Sequence, residues 1–267
     1  MAQISWENFF GNVPEEFSEL FKPHEAPWHV LDQLKDFIRT SIRPNLPDEV
    51  VPGIPLPEPI VLLPGGWMTE GFETVCTDET KGKLMVWIEG EPVPEATLIC
   101  AGVTFTDYRV QFGKGILVEP GAMIKGPTMI LDNAQVRQAA YIREDCLIGP
   151  KAVVGHATEA KHSIFLEDSK AGHFAYIGDS ILGNSVNLGA GTKLANLKFA
   201  SGSVKIAGPQ GGKIDTGRRK IGAILGDFVQ TGCNSVTNPG VLLGPHSMVA
   251  PNSTVKPGFY PSKTIVR

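Results

Sequence analysis

His173 stands in the stretch DSKAGHFAYIGD, Asp168 to Asp179, with Lys170 before it and Tyr176 three residues after it. An imidazole titrates near neutrality and is the usual general base, so a histidine flanked by an amine and a phenol is a candidate for proton transfer. Arg143 and Lys161 lie upstream, eighteen residues apart. Two cations that recur on one side of a folded repeat suit a phosphate, the arginine as a planar fork and the lysine as a point charge. Each residue also has an ordinary reading, since histidines in turns and lysines on strand faces are most often simply solvated.

A repeat supplies the spacing. Counting from Val118, aliphatic residues return every six positions at Ile124, Ile130, Val136, Ile142, Ile148, Val154, Ala160 and Leu166. Leu182, Leu188 and Leu194 continue the count, and after an interruption Leu225, Thr231, Thr237, Leu243, Val249 and Val255 restore it. This is the hexapeptide signature of a left-handed parallel β-helix, in which three hexads form a triangular coil and coils must stack to bury the aliphatic position. Strands of a sandwich do not hold one phase for so long. Three hexads also place Arg143 and Lys161 in one column of neighbouring coils. The interval from Leu166 to Ile177 is eleven, so the count loses a residue around His173.

The fold class expected is therefore mainly β, a hexapeptide β-helix over residues 99–267 with a small α/β appendage over residues 1–98. In the appendage, EEFSELFK and PWHVLDQLKDFIRTSIR have helical spacing, and Pro27 is placed to start the second helix. A proline-rich connector follows, and GKLMVWIEG alternates like a strand. Residues 195–220 leave the repeat, and their alternation predicts a two-stranded flap. Breaks in a regular protein are where function concentrates.

The 267 residues carry a formal net charge of −4, which gives no electrostatic reason to expect nucleic acid or an anionic membrane as partner. The four cysteines, Cys76, Cys100, Cys146 and Cys233, form no CxxC pair. The opening MAQISWENFF lacks the basic and apolar regions of a secretory signal, and no apolar run is long enough to span a bilayer. The expectation is a cytoplasmic protein.

The run YIREDCLIG … EAKHSIFLEDSKAGHFAYIGDSILGNSVNLGAGT resembles the acetyltransferase half of the bifunctional sugar-1-phosphate nucleotidylyltransferase/glucosamine-1-phosphate N-acetyltransferase family. The later run ANLKF…DTGRRKIGAILGDFVQTGCN resembles its archaeal-type branch. The resemblance implies that His173 is the catalytic base, and that Arg143, Lys161, Tyr176, Asn187, Asn196 and the flap residue Lys205 contact an amino-sugar 1-phosphate. It implies acetyl-CoA as co-substrate, met by Ala190 and Gly191 in GAGT and by Cys233, with Arg218 and Arg219 placed for its phosphates. A backbone N–H near Gly189–Gly191 would hold the oxyanion. It further implies a homotrimer with the cofactor between neighbours. The glycine-rich loop of the nucleotidylyltransferase half is missing, so nucleotide transfer is not expected. Two other readings stay open. One is a binding or assembly subunit without turnover. The other is a zinc enzyme of the carbonic-anhydrase type using His156, His162 and His173.

Overall fold

The computed structural model describes residues 4–78 and 83–267. From Thr97 to Val266 the chain winds as a parallel β-helix with three sheet faces. The first face stacks nine parallel strands, from Thr97–Ile99 to Ile265–Val266, and includes Val153–His156 and Lys170–His173. The second face has eight, among them Tyr141–Ile142, Glu159–Lys161, Tyr176–Gly178 and Lys193–Leu194. The third has eight, among them Cys146–Ile148, Ile164–Phe165, Ile181–Leu182 and Ala223–Leu225. The repeat residues point inward and form one continuous core from Ile99 to Val255. The turns run through left-handed backbone at a regular interval, as at Ala139, Ala157 and Phe174.

Register corrects the position of the lost residue. Ile142 pairs with Ala160, eighteen residues on, but Ala160 pairs with Ile177, only seventeen on. On the third face Ile148 pairs with Phe165 and Phe165 with Leu182. The inward residue there is thus Phe165, and the count shortens at the two corners that carry His162–Ser163 and Asp179–Ser180. The stretch around His173 is regular. Leu166 misled the count because the third face is buried on both sides, so Ile164, Phe165 and Leu166 are all apolar and alternation is lost. Leu166 belongs to an outer cluster, not to the helix interior.

Two buried serines fit the shortened corners. The Ser163 hydroxyl donates to Lys161 O at 2.8 Å and accepts from Ser180 N at 3.2 Å. The Ser180 hydroxyl repeats this one coil on, donating to Gly178 O at 2.8 Å and accepting from Ala223 N at 3.0 Å. Side-chain hydroxyls thereby satisfy the buried backbone groups at the tightened turn.

The N-terminal residues do two jobs. Helix α1, Pro27–Ser41, begins on Pro27 as expected. It buries Trp28, Val30, Leu31, Leu34 and Ile38 against the outer surface of the third face, contributed by Leu147, Ile164, Leu166 and Ile181. EEFSELFK forms a 3-10 helix, Glu15–Leu20, rather than an α-helix, set between Pro14 and the turn before α1. The proline-rich connector then crosses the open end of the coil, where Val50, Leu56, Ile60 and Leu62 join the inner core. A hairpin of Ile60–Leu63 and Gly66–Met68 pairs antiparallel to Thr97–Ile99 and finishes the first face. GKLMVWIEG contributes the strand Lys83–Ile88 of a small antiparallel sheet.

Candidate active site

His173 is the last residue of its strand and turns the corner from the first face to the second. The strand Lys170–His173 and its neighbour Val153–His156 run longer than most first-face strands, and His156 pairs directly with His173. Their rings stack at 5.5 Å with 18° between planes. Gly155 makes this possible, because a Cβ there would lie 1.9 Å from Gly172 O. His173 is exposed, and Phe174 beside it is 63% exposed.

The corner is a column. Phe174 N donates to His156 O, Gly191 N to His173 O, Asn234 N to Ala190 O, and Asn252 N to Cys233 O. His156, His173, Ala190 and Cys233 therefore occupy equivalent positions on successive coils, about 5 Å apart. The structure brings His173, Ala190 and Cys233 together in this way, with Cys233 an exposed free thiol. It also narrows the choice of oxyanion donor. Gly189 N is bonded to Thr231 O at 2.9 Å and Gly191 N to His173 O at 3.0 Å. Among the described residues, only the Ala190 amide of these three has no protein acceptor.

Across the second face lies the other half of the arrangement. Tyr141, Glu159, Tyr176 and Lys193 form an outward ladder, and Arg143, Lys161 and Gly178 form the next one. Arg143 donates to Glu159 at 3.0 Å, a bond that raises its pKa and keeps the guanidinium charged. Lys161 has no anionic partner among the described residues. At the far corner the Tyr176 hydroxyl donates to Asn196 Oδ1 at 3.4 Å, and Asn196 Nδ2 donates to the Asp179 carboxylate. Gly178 leaves room for them, since a Cβ there would meet Asn196 Nδ2 at 2.6 Å and the Tyr176 hydroxyl at 2.7 Å. Burial pushes the Tyr176 phenol above its ordinary pKa, and the charges of Glu159 and Asp179 push the same way. Arg143, Lys161 and Asn196 thus lie toward the far edge of the second face, which the Tyr176 hydroxyl reaches from the ladder nearer His173, and His173 sits at the near corner, three residues before Tyr176.

Other expected residues lie elsewhere. Asn187 is exposed on the first face between Lys170 and Gln230. Lys170 pairs with Asp168 at 2.7 Å and lines a groove of about 820 Å³ on that face, beside Arg137 and Lys151. The flap forms the expected hairpin, Lys205–Ala207 against Lys213–Asp215. It folds back onto the third face, where Val204 and Ile206 are buried with Ile224 and Leu242. Lys205 stands on its outer side, 3.9 Å from Asp215. Arg218 is not free for cofactor phosphates: its guanidinium is ion-paired to Asp32 of α1 and lies 3.7 Å from Asp179. Arg219 donates to Lys198 O. The three histidines of the zinc reading do not converge, because His162 sits at the far corner with Nε2 donating to Leu31 O at 3.0 Å.

Glu159, Asp179 and Asp32 escaped the sequence reading. Glu159 has a legible signal, because in a strand it shares the outward side with Lys161 two residues on. Asp32 has none, since nothing local in α1 announces a contact with residue 218.

Residues 124–232 match the family described as the GMPPB C-terminal domain. The bifunctional sugar-1-phosphate nucleotidylyltransferase/acetyltransferase of Sulfurisphaera tokodaii is 37% identical over 156 residues, covering 52% of this chain and 39% of that protein. The repeat region is homologous to the acetyltransferase half of such bifunctional proteins. The bifunctional protein GlmU of Methanococcus vannielii is 38% identical over 116 residues, covering 43% of this chain and 28% of its own length. The chain therefore spans well under half the length of these relatives. Among solved structures, the UDP-N-acetylglucosamine acyltransferase from Campylobacter jejuni is similar at 17% identity and a TM-score of 0.33, over 60% of this chain and 68% of that one. Among the described residues no helix is long and apolar enough to cross a membrane.

Proposed function

We propose that the protein is a hexapeptide-repeat acyltransferase that moves an acetyl group from acetyl-CoA to the amine of an amino-sugar 1-phosphate. The observation that carries this reading is the second face itself. One edge presents His173, exposed and, among the described residues, free of carboxylate partners, in a column with Ala190 and Cys233. The other presents Lys161, without an anionic partner among the described residues, beside Arg143, the Tyr176 hydroxyl and Asn196. A base and a phosphate-sized cationic site on one surface fit the transfer of an acyl group to a phosphorylated amine.

In this mechanism Lys161 and Arg143 hold the phosphate, and Tyr176 and Asn196 read hydroxyls. His173 takes the proton that the amine loses as its nitrogen bonds the thioester carbonyl carbon. The Ala190 amide donates to the oxyanion of the tetrahedral intermediate. Collapse breaks the C–S bond, and the thiolate leaves with a proton returned by the His173 imidazolium. Exposure of His173 and Phe174 on an open face supports a further element of the reading, a homotrimer in which a neighbouring copy closes the site.

The test is product analysis. Purified protein incubated with acetyl-CoA and glucosamine-1-phosphate or galactosamine-1-phosphate is expected to yield the N-acetylated sugar phosphate by mass spectrometry. Lys161→Ala is expected to raise KM for the sugar phosphate about 10- to 100-fold through loss of a charged contact. Tight sugar-phosphate binding with no acetylated product would assign the protein as a binding subunit instead.

A further inference from the structure

One charged chain of contacts connects the N-terminal segment to the candidate site. Asp32 on α1 is ion-paired to Arg218 in the neck of the flap. Arg218 is nearly buried, with 13% of its side chain exposed, and its second nitrogen lies 3.7 Å from Asp179, itself 6% exposed. Asp179 accepts from the Asn196 amide, and Asn196 accepts from the Tyr176 hydroxyl. The flap neck is pinned to the same corner by Ile221 N donating to Asn196 O and Gly222 N donating to Asp179 O. A bridge between Leu197 and Lys220 closes it.

We propose that Asp32 and Arg218 are positioning residues for the sugar-phosphate site, holding Asp179, and through it Asn196 and Tyr176, in the orientation that reads the sugar. The proposal rests on the assignment of Asn196 and Tyr176 as substrate contacts. The physical case is one of charge. A buried carboxylate needs a cation and hydrogen-bond donors, and Asp179 has Arg218 and the Asn196 amide. Arg218 faces two carboxylates, and its Nε donates to Lys220 O at 3.0 Å, so loss of Asp32 removes one of the two charges that orient its terminal nitrogens while the flap neck still holds its Nε. Asn196 has a side chain short enough that a shift of Asp179 carries it away from Tyr176. Helix α1 is held independently, by its apolar contacts with the third face and by the Leu31 O bond to His162. Asp32 is about half exposed, so its replacement leaves that packing in place. The N-terminal segment is thus an external splint for a site that lies wholly on the β-helix.

Three variants of the full chain test this: Asp32→Asn, Asp32→Glu, and Asp36→Asn as a control one turn along the same helix. Asp32→Asn is expected to raise KM for the amino-sugar phosphate about tenfold, with kcat and the KM for acetyl-CoA changed less than about twofold. Asp32→Glu is expected to recover most of the loss, and Asp36→Asn to show none. Hydrogen exchange gives a readout free of turnover, with the Ile221 and Gly222 amides exchanging faster in Asp32→Asn and unchanged in Asp36→Asn. Unchanged KM and exchange in Asp32→Asn would overturn the proposal. So would an equal fall in every kinetic constant accompanied by a lower Tm. If the wild type turns over neither sugar phosphate, the assignment of the site fails. The exchange comparison still decides the clamp, because unchanged amides in Asp32→Asn would refute it.

Discussion

At the scale of single residues, the account turns on His173 and on the ring of Tyr176. His173 is well placed for proton transfer because Gly155 lets two strands pair up to the corner and the imidazole is exposed there. His173→Ala is expected to lower kcat by about 10²- to 10⁴-fold while leaving Tm unchanged, measured by steady-state kinetics and thermal unfolding. Tyr176 titrates above the ordinary phenol range, chiefly through burial. A raised phenol pKa favours the protonated folded state, so this contribution is intact below the unfolded pKa and lost as pH rises through the folded one. Tyr176→Phe is expected to remove one late-titrating phenol from an alkaline absorbance titration, while a second late phenol, Tyr260, remains. If the late signal is undiminished, Tyr176 is not held as described. Much of this was legible in KAGHFAY and in the eighteen-residue spacing of Arg143 and Lys161. The roles of Glu159 and Asp179 were not, because ion pairs between coils depend on register.

At the scale of elements, a one-residue slip decides which side chains share a column. The sequence placed the slip beside His173, but the structure places it at His162–Ser163 and Asp179–Ser180. A strand covered on both sides offers no alternation by which to tell Phe165 from Leu166. The flap hairpin was legible from its alternation, and its docking on the third face was not, since Val204 and Ile206 meet partners far along the chain. Two substitutions probe these elements. Gly178→Ala forces a Cβ against Asn196 and Tyr176, and is expected to raise KM for the sugar phosphate with little change in the KM for acetyl-CoA. His162→Ala removes the bond to Leu31 O that ties α1 to the coil. Its expected cost is about 1–2 kcal/mol in denaturant unfolding, with no effect on chemistry at the opposite corner. The other ring nitrogen of His162, Nδ1, lies 3.9 Å from the Asp145 carboxylate; burial pushes the Asp145 pKa up, but His162 and the charges of Lys35 and Arg39 bring it below its ordinary value. A depressed carboxylate pKa stabilises above the unfolded pKa and is lost as pH falls through the folded one, so this contribution fades on the acid side.

At the scale of the molecule, the N-terminal residues are integral to the fold rather than a separate body, since they cover the third face and close the open end. Among the described residues none of them covers the second face, with His173 at one edge and the cations at the other. A face of that width is what a second copy would cover, and light scattering is expected to give three times the chain mass. The central claim is that this face transfers an acetyl group through His173. The most direct measurement is thiol release from acetyl-CoA by the wild type and His173→Ala, with glucosamine-1-phosphate and galactosamine-1-phosphate as acceptors. The account predicts acceptor-dependent release by the wild type that falls at least about a hundredfold in the variant. Equal release by the two proteins would contradict it.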